Sequence, residues 1–312
     1  MGRDKLQNSP LPLREGVRGR GKLQQPELLH IHPHPNPPPS RGRGLHLSPL
    51  LAAGWLLFVF VCAAGAGWWA GFPPDQMDTA RLASPPGMGH LLGTDAMGRD
   101  IASRLLFGGR VSLIVGFCAP FVGLMAGLLL GVPAAFYRGR IEPLIMTGVD
   151  VLLAFPGLVF LLVFTFAFGS SLPTLTVGLG LLTAPRFTRV ARANTLRFVD
   201  REFVLAARAS GAGNLSILIR EILPNVLPPL LIYMLLVVGF VIIAEGGLGF
   251  LGLSVPSPTP SWGGMMAEGR EVLDQSPHVS MIPTGVMFLT VLSVNLIGDR
   301  LRRRFEGRDA RP

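Results

Sequence analysis

Residues 222–244, Ile222-Leu223-Pro224-Asn225-Val226-Leu227-Pro228-Pro229-Leu230-Leu231-Ile232-Tyr233-Met234-Leu235-Leu236-Val237-Val238-Gly239-Phe240-Val241-Ile242-Ile243-Ala244, carry no charged side chain over 23 positions. A bilayer core asks for about 20 apolar residues in helical form, because every backbone polar group must be bonded within the segment. The stretch is therefore read as a membrane span. Working outward, the same kind of run recurs at 47–74, where Trp55, Trp68 and Trp69 sit as interfacial anchors would, and at 111–137. Another begins near Ile141 and passes Asp150 and Pro156 to Phe168. A weaker, Gly-rich run covers about 174–190, and a last one lies within 275–298. The expected fold is all-α, a polytopic membrane protein with six transmembrane helices. Residues 246–267 are also uncharged, but Pro256, Pro258 and Pro260 with three serines would leave backbone groups unpaired in lipid, so they are read as an ordered loop.

Composition agrees. Of 312 residues 49% are hydrophobic and 15% charged, where soluble domains carry about a quarter charged. The net charge of +9 does not point to nucleic acid, because its location explains it. With six spans both tails share one side, which collects 23 of the 28 Lys and Arg residues, and by the positive-inside rule that side is cytoplasmic. Cys62 and Cys118 lie in apolar runs and support neither a disulfide framework nor a Cys-based zinc site, and no HExxH or comparable metal motif occurs. No cofactor, metal or catalytic residue is expected.

Four regions follow. Residues 1–46, rich in Pro, Gly and Arg with RGRG at 18–21 and 41–44, are read as a disordered basic tail. Residues 47–110 hold the first transmembrane helix and an extracytoplasmic segment. Residues 111–305 form a core of five transmembrane helices with a cytoplasmic loop at 185–224, and 306–312 are a short cytoplasmic tail.

The loop is the most informative segment. Arg201-Glu202-Phe203-Val204-Leu205-Ala206-Ala207-Arg208-Ala209-Ser210-Gly211 reads as a short helix closed by a turn at Gly211 and Gly213, where positive φ is cheap. A second short helix is expected to end at Pro224. Ala206, Ala207, Ala209 and Ser210 leave a smooth surface that another protein can approach, with Phe203 and Leu205 offering bulk. This is a docking element without catalytic chemistry.

The order Ala206-Ala207, Gly211, Leu223-Pro224 resembles the EAA signature (EAA, three residues, Gly, nine residues, I-x-LP) of the inner-membrane permease subunits of bacterial ABC importers. Leu205 stands where that signature has Glu, and Glu221 where it has Ile, with Ile222 one place later. Two more segments, Leu92-Gly93-Thr94-Asp95-Ala96-Met97-Gly98-Arg99-Asp100 with Ser103-Arg104, and Phe250-Leu251-Gly252-Leu253 leading to Pro258-Thr259-Pro260-Ser261-Trp262-Gly263, resemble the C-type subunit of the dipeptide, oligopeptide and nickel importers. So does Asn295-Leu296-Ile297-Gly298-Asp299. The resemblance implies the type I importer permease fold in a bacterial inner membrane. It also implies a second permease subunit as partner, two cytoplasmic ATP-binding subunits gripping Phe203, Ala206, Ala207, Gly211, Leu223 and Pro224, and an extracytoplasmic solute-binding protein. No GxxxxGK[ST] loop occurs, so ATP hydrolysis falls to another chain. Peptide is the expected solute, nickel the alternative.

The remaining polar residues have two readings each. Asp95, Arg99, Asp100 and Arg104, just before the second span, could seat the binding protein or form a gate. Alternatively they cap the following helix and pair among themselves, Asp100 with Arg104 at i,i+4. Trp262 is either an interfacial anchor or a partner contact. Asp150 lies inside an apolar run, where a proton-coupled secondary transporter would use it as a relay. Its shallow depth favours packing, intersubunit pairing or an arginine of the coupling loop. Glu245, at the outer end of the fifth span, is open to the same two readings. A membrane hydrolase is set aside, since no histidine in the spans partners a serine.

Overall fold

The computed structural model describes residues 48–87 and 89–309. The expectations for residues 1–46, and for the last three residues of the chain, fall outside that range. Helices α1 (Ser48–Ala64), α2 (Ala66–Trp69), α3 (Ile101–Tyr137), α4 (Ile141–Ala154), α5 (Gly157–Phe168) and α6 (Leu172–Leu196) form the first half. They are followed by α7 (Glu202–Ala209), α8 (Asn214–Ile217), α9 (Leu223–Phe250), α10 (Trp262–Gly269) and α11 (His278–Asp309). No strand occurs among the described residues; three isolated bridges, such as Thr94 with Asp100, tie together the segment before α3.

Every apolar run of the sequence is helical, but the helices do not end where the charges begin. Helix α3 starts ten residues before its run because Asp100 caps it, an Oδ2 atom accepting from the Ser103 N–H at 2.7 Å. Helix α6, capped by Ser171, continues through Arg186, Arg189 and Arg192 to Leu196. Much of the expected loop 185–224 is therefore helix, and only 197–213 joins α6 to α8. The expected third span is broken: α4 and α5 meet at a bend of 93°. Phe155 is extended (ψ 133°) and Pro156, fixed in φ, cannot donate to the α4 ladder. Three helical stretches are long and apolar enough to cross a membrane alone, Ile101–Tyr137, Asn214–Phe250 and His278–Phe305, with the bent pair a fourth at most. Helix α1 is shorter and α6 less apolar than the six-span expectation assumed.

Since lipid is as apolar as leucine, the spans associate through close packing, which small residues permit. Gly123, Gly127 and Gly131 lie at four-residue spacing along α3 and face α6. A Cβ on Gly127 would stand 2.7 Å from the Phe187 carbonyl carbon and 2.9 Å from the Thr188 nitrogen. From α6, Gly180 answers, where a Cβ would meet Val122 at 2.7 Å. Leu124, Leu179, Phe187 and Leu230 are fully buried around this crossing. The opposite surface is apolar too: Phe166 is 90% and Phe168 70% exposed, side chains that lipid or another membrane subunit must cover.

Candidate functional site

The two ends of α3, a helix about 55 Å long at 1.5 Å per residue, carry the two groups of residues singled out by the sequence. At the C-terminal end, Arg138 donates to Asp200 at 2.8 Å and so fastens the chain after α6 to the α3–α4 turn. Next comes α7. Val204 anchors it, fully buried with Ile217, Leu218 and Ile222, and Ala207 packs inward beside them. Arg208 lies over the Phe136 ring at 5.3 Å. The outward face consists of Phe203, Leu205, Ala206, Ala209 and Ser210. Gly211 has φ +80° and closes the helix by donating to the Arg208 carbonyl at 3.0 Å; nothing lies within 4 Å of where its Cβ would be. A glycine is needed here for backbone conformation, not for lack of room.

Pro224 does not end the second helix. Helix α8, a π-helical turn at Leu218–Ile222, and α9 form one uninterrupted helix, Asn214–Phe250. Proline removes one N–H from the ladder and its ring crowds the preceding turn. The widened turn absorbs this: the Leu223 N–H reaches back to the Leu218 carbonyl, and the Asn225 side chain donates to the Glu221 carbonyl at 2.6 Å. Leu223 is half-buried and Pro224 exposed on the wall of a cavity between α6, α9 and α11.

At the other end of α3 the charged residues are buried, not exposed as pairs on a surface. Asp95 is 3% and Arg99 and Arg104 each 1% exposed. Asp95 Oδ2 accepts from Arg99 Nε at 2.7 Å and forms an ion pair, not a hydrogen bond, with Arg104 Nε 3.3 Å away, while its Oδ1 accepts the Met97 and Arg99 backbone N–H groups. Both guanidiniums also donate to Glu268 Oε2 on α10, at 2.7 and 2.8 Å. The expected pair of Asp100 with Arg104 is absent, because Asp100 caps α3 and holds His90 Nδ1 at 2.9 Å. Glu268 and His90 were missed by the sequence reading. The one available signal was that Glu268 is the first charge after the uncharged stretch 246–267.

Trp262 has no surface left for lipid headgroup or partner: it is 1% exposed, its Nε1–H donating to the Leu105 carbonyl at 3.1 Å and its backbone N–H to Ser112 Oγ at 3.2 Å. Ser112 in turn donates to Glu245, which is fully buried and also receives Ser254 Oγ at 2.8 Å. Glu245 thus stitches the loop before α10 to α3. The fit is tight, since a Cβ on Gly249 would come within 2.7 Å of the Gly263 carbonyl carbon.

Asp150 pairs with Arg189 of α6 at 2.6 Å, both side chains more than half exposed. Glu142 and Arg192 make a second bridge between the same helices. An exposed pair of this kind contributes about 0–1 kcal/mol. Asp150→Asn is therefore expected to leave the thermal midpoint of the purified protein nearly unchanged and uptake insensitive to a collapsed proton gradient. Loss of gradient-driven uptake in that variant would restore the relay reading.

One end of this bundle presents a rigidly held small-residue helix, the other a fastened charged segment. That is the build of a permease subunit of an ABC importer. The chain belongs to the family described as binding-protein-dependent transport system inner membrane component, whose match covers residues 123–308. It is 38% identical over 256 residues to the glutathione transport system permease protein GsiD of Pectobacterium atrosepticum, covering 81% of this chain and 84% of the relative. It is 36% identical over 260 residues to the di/tripeptide transport system permease protein DppC of Pseudomonas aeruginosa, at 80% and 86% coverage. In fold it matches the inward-facing MetNI methionine ABC transporter, with a TM-score of 0.54 and 20% identity over 64% of this chain and 95% of that one. Membership in the family implies ATPase and binding-protein partners and a second permease, and the proton-coupled alternative has no support.

Proposed function

We propose that this chain forms half of the translocation pathway of an importer for short peptides, glutathione or di- and tripeptides, paired with a second permease subunit. Two cytoplasmic ATP-binding subunits drive it, and an extracytoplasmic binding protein supplies the solute. The names of the relatives support the solute class. The Lys and Arg asymmetry supports placing both termini and the α7 end in the cytoplasm, since Arg138, Arg140, Arg197, Arg201 and Arg208 cluster there.

The observation that carries the proposal is α7 itself, a helix pinned by Val204 with its small-residue face turned outward and a continuous helix leading from it into the membrane. Leu205, 51% exposed in place of the signature glutamate, offers the motor subunit an apolar contact instead of a charged one. At the far end, the buried salt bridges make 73–100 a firm seat for the binding protein, while the buried side chains themselves do not touch it.

Because Ala207 packs inward, Ala206→Asp is the cleaner probe of the docking face. In the reconstituted complex, uptake is expected to fall roughly tenfold, the equivalent of about 1.4 kcal/mol of lost docking, while the ATPase subunits still hydrolyse ATP. Wild-type uptake by that variant would remove α7 from the coupling role.

A further inference from the structure

Arg186 sits on the exposed face of α6, 10 residues from its C-terminal end and 14 from its start, roughly 15 and 21 Å at 1.5 Å per residue. That is mid-helix, one turn before Arg189, and an arginine on an apolar helix face is costly unless it meets the bundle interior or water. The acids of α4 are engaged by its neighbours, Asp150 by Arg189 and Glu142 by Arg192. Among the described residues no carboxylate pairs with Arg186. Its guanidinium carbon lies 5.3 Å from the centre of the Phe240 ring on α9, which holds the cation by its face and leaves the N–H edge unoccupied.

The same two helix faces lead to a cavity. At the C-cap of α6, Arg197 is eleven residues on, three turns below Arg186, and on α9 Leu236, Tyr233 and Pro229 precede Phe240 at steps of four, seven and eleven. Arg197, Leu236, Tyr233 and Pro229 all line an open cavity of about 790 Å³ beneath. The basic cavity thus lies on the same α6–α9 seam as Arg186, which stands beyond its lining residues.

We infer that Arg186 is the carboxylate-binding residue of the translocation pathway, taking the free terminal carboxylate of a passing peptide through paired N–H donors. The inference rests on the peptide reading above. Arg197 and Arg201, without acidic partners among the described residues, form the next cationic stations on the way out, so that a bound carboxylate is passed on. Guanidinium and carboxylate match in geometry, and a charge-assisted pair in a space of low polarity discriminates against a neutral solute of the same size.

The test uses the whole complex, both permeases, ATPases and binding protein, in proteoliposomes, with Cys62→Ser and Cys118→Ser as background. Arg186→Cys is expected to react with an anionic, membrane-impermeant methanethiosulfonate. Arg186→Gln is expected to cut glutathione uptake by roughly tenfold or more while the complex stays assembled and ATP hydrolysis responds to the loaded binding protein, and Arg186→Lys to retain most uptake, as expected for loss and partial rescue of a charge-assisted contact. An Arg186→Cys complex that stays unlabelled by the reagent, or wild-type uptake by Arg186→Gln, overturns the assignment. So does loss of the second permease on purifying Arg186→Gln, which would make Arg186 an intersubunit ion-pair residue. If the wild-type complex moves neither glutathione nor Ala-Ala, the peptide reading fails as well; if it moves them and Arg186→Gln matches it, only the role of Arg186 falls.

Discussion

Gly127→Leu is expected to prevent accumulation of the folded protein. The new Cβ would land within 3 Å of main-chain atoms of Phe187 and Thr188, and main chain in a packed helix cannot step aside as a side chain can. Overpacking typically costs about 1–3 kcal/mol, and a clash with backbone at the centre of the α3–α6 crossing belongs at or above about 3 kcal/mol. Separation of the two helices would also uncover Leu124, Leu179 and Phe187. The measurement is membrane-fraction yield and thermal midpoint in detergent, with Gly148→Leu as control because nothing lies within 4 Å of a Cβ there. Equal yields for the two variants would show that α3 and α6 do not touch through the glycine stripe.

Asp95→Asn is the second large effect. Asp95 and Glu268 together balance two almost fully buried guanidiniums. With Asp95 neutral, Arg99 and Arg104 face one another with Glu268 alone, and breaking a buried pair from one side costs about 3–5 kcal/mol. The loss should be local: hydrogen exchange or limited proteolysis is expected to rise across 73–100 before the helices respond. Adding Arg104→Gln to Asp95→Asn should return part of the lost stability, because the pair is removed together. A double variant worse than the sum of its parts would mean that the charges are solvated after all.

The apolar runs were legible because an uncharged stretch of about 20 or more residues has few alternatives to a membrane helix. Their limits were not. The start of α3 depends on the Asp100 cap, and the length of α6 on its partners across α3 and α4, neither of which hydropathy registers. The break at Pro156 illustrates the difficulty, since Pro120, Pro133, Pro185 and Pro283 lie inside continuous helices of the same protein. Proline removes a hydrogen bond everywhere, but whether the chain then bends depends on what surrounds it. The α7 segment was picked out by its motif and its glycines. Burial of the charged cluster was not, because it hinges on Glu268, 169 residues from Arg99 in sequence. Arg186 was hidden for the opposite reason: it looked like one more positive charge in a cytoplasmic loop until α6 proved to be helical past it.

The unbroken run from Asn214 to Phe250 has a mechanical corollary. A shaft without a hinge transmits torque: any roll imposed near Leu215 turns Glu245 and the glycine contact with α10 through the same angle, roughly 45–50 Å away. The α7 side and the α10 side of this subunit are geared together by a single axle, and the wide turn at Leu218–Ile222 lets that axle pass three prolines without slipping.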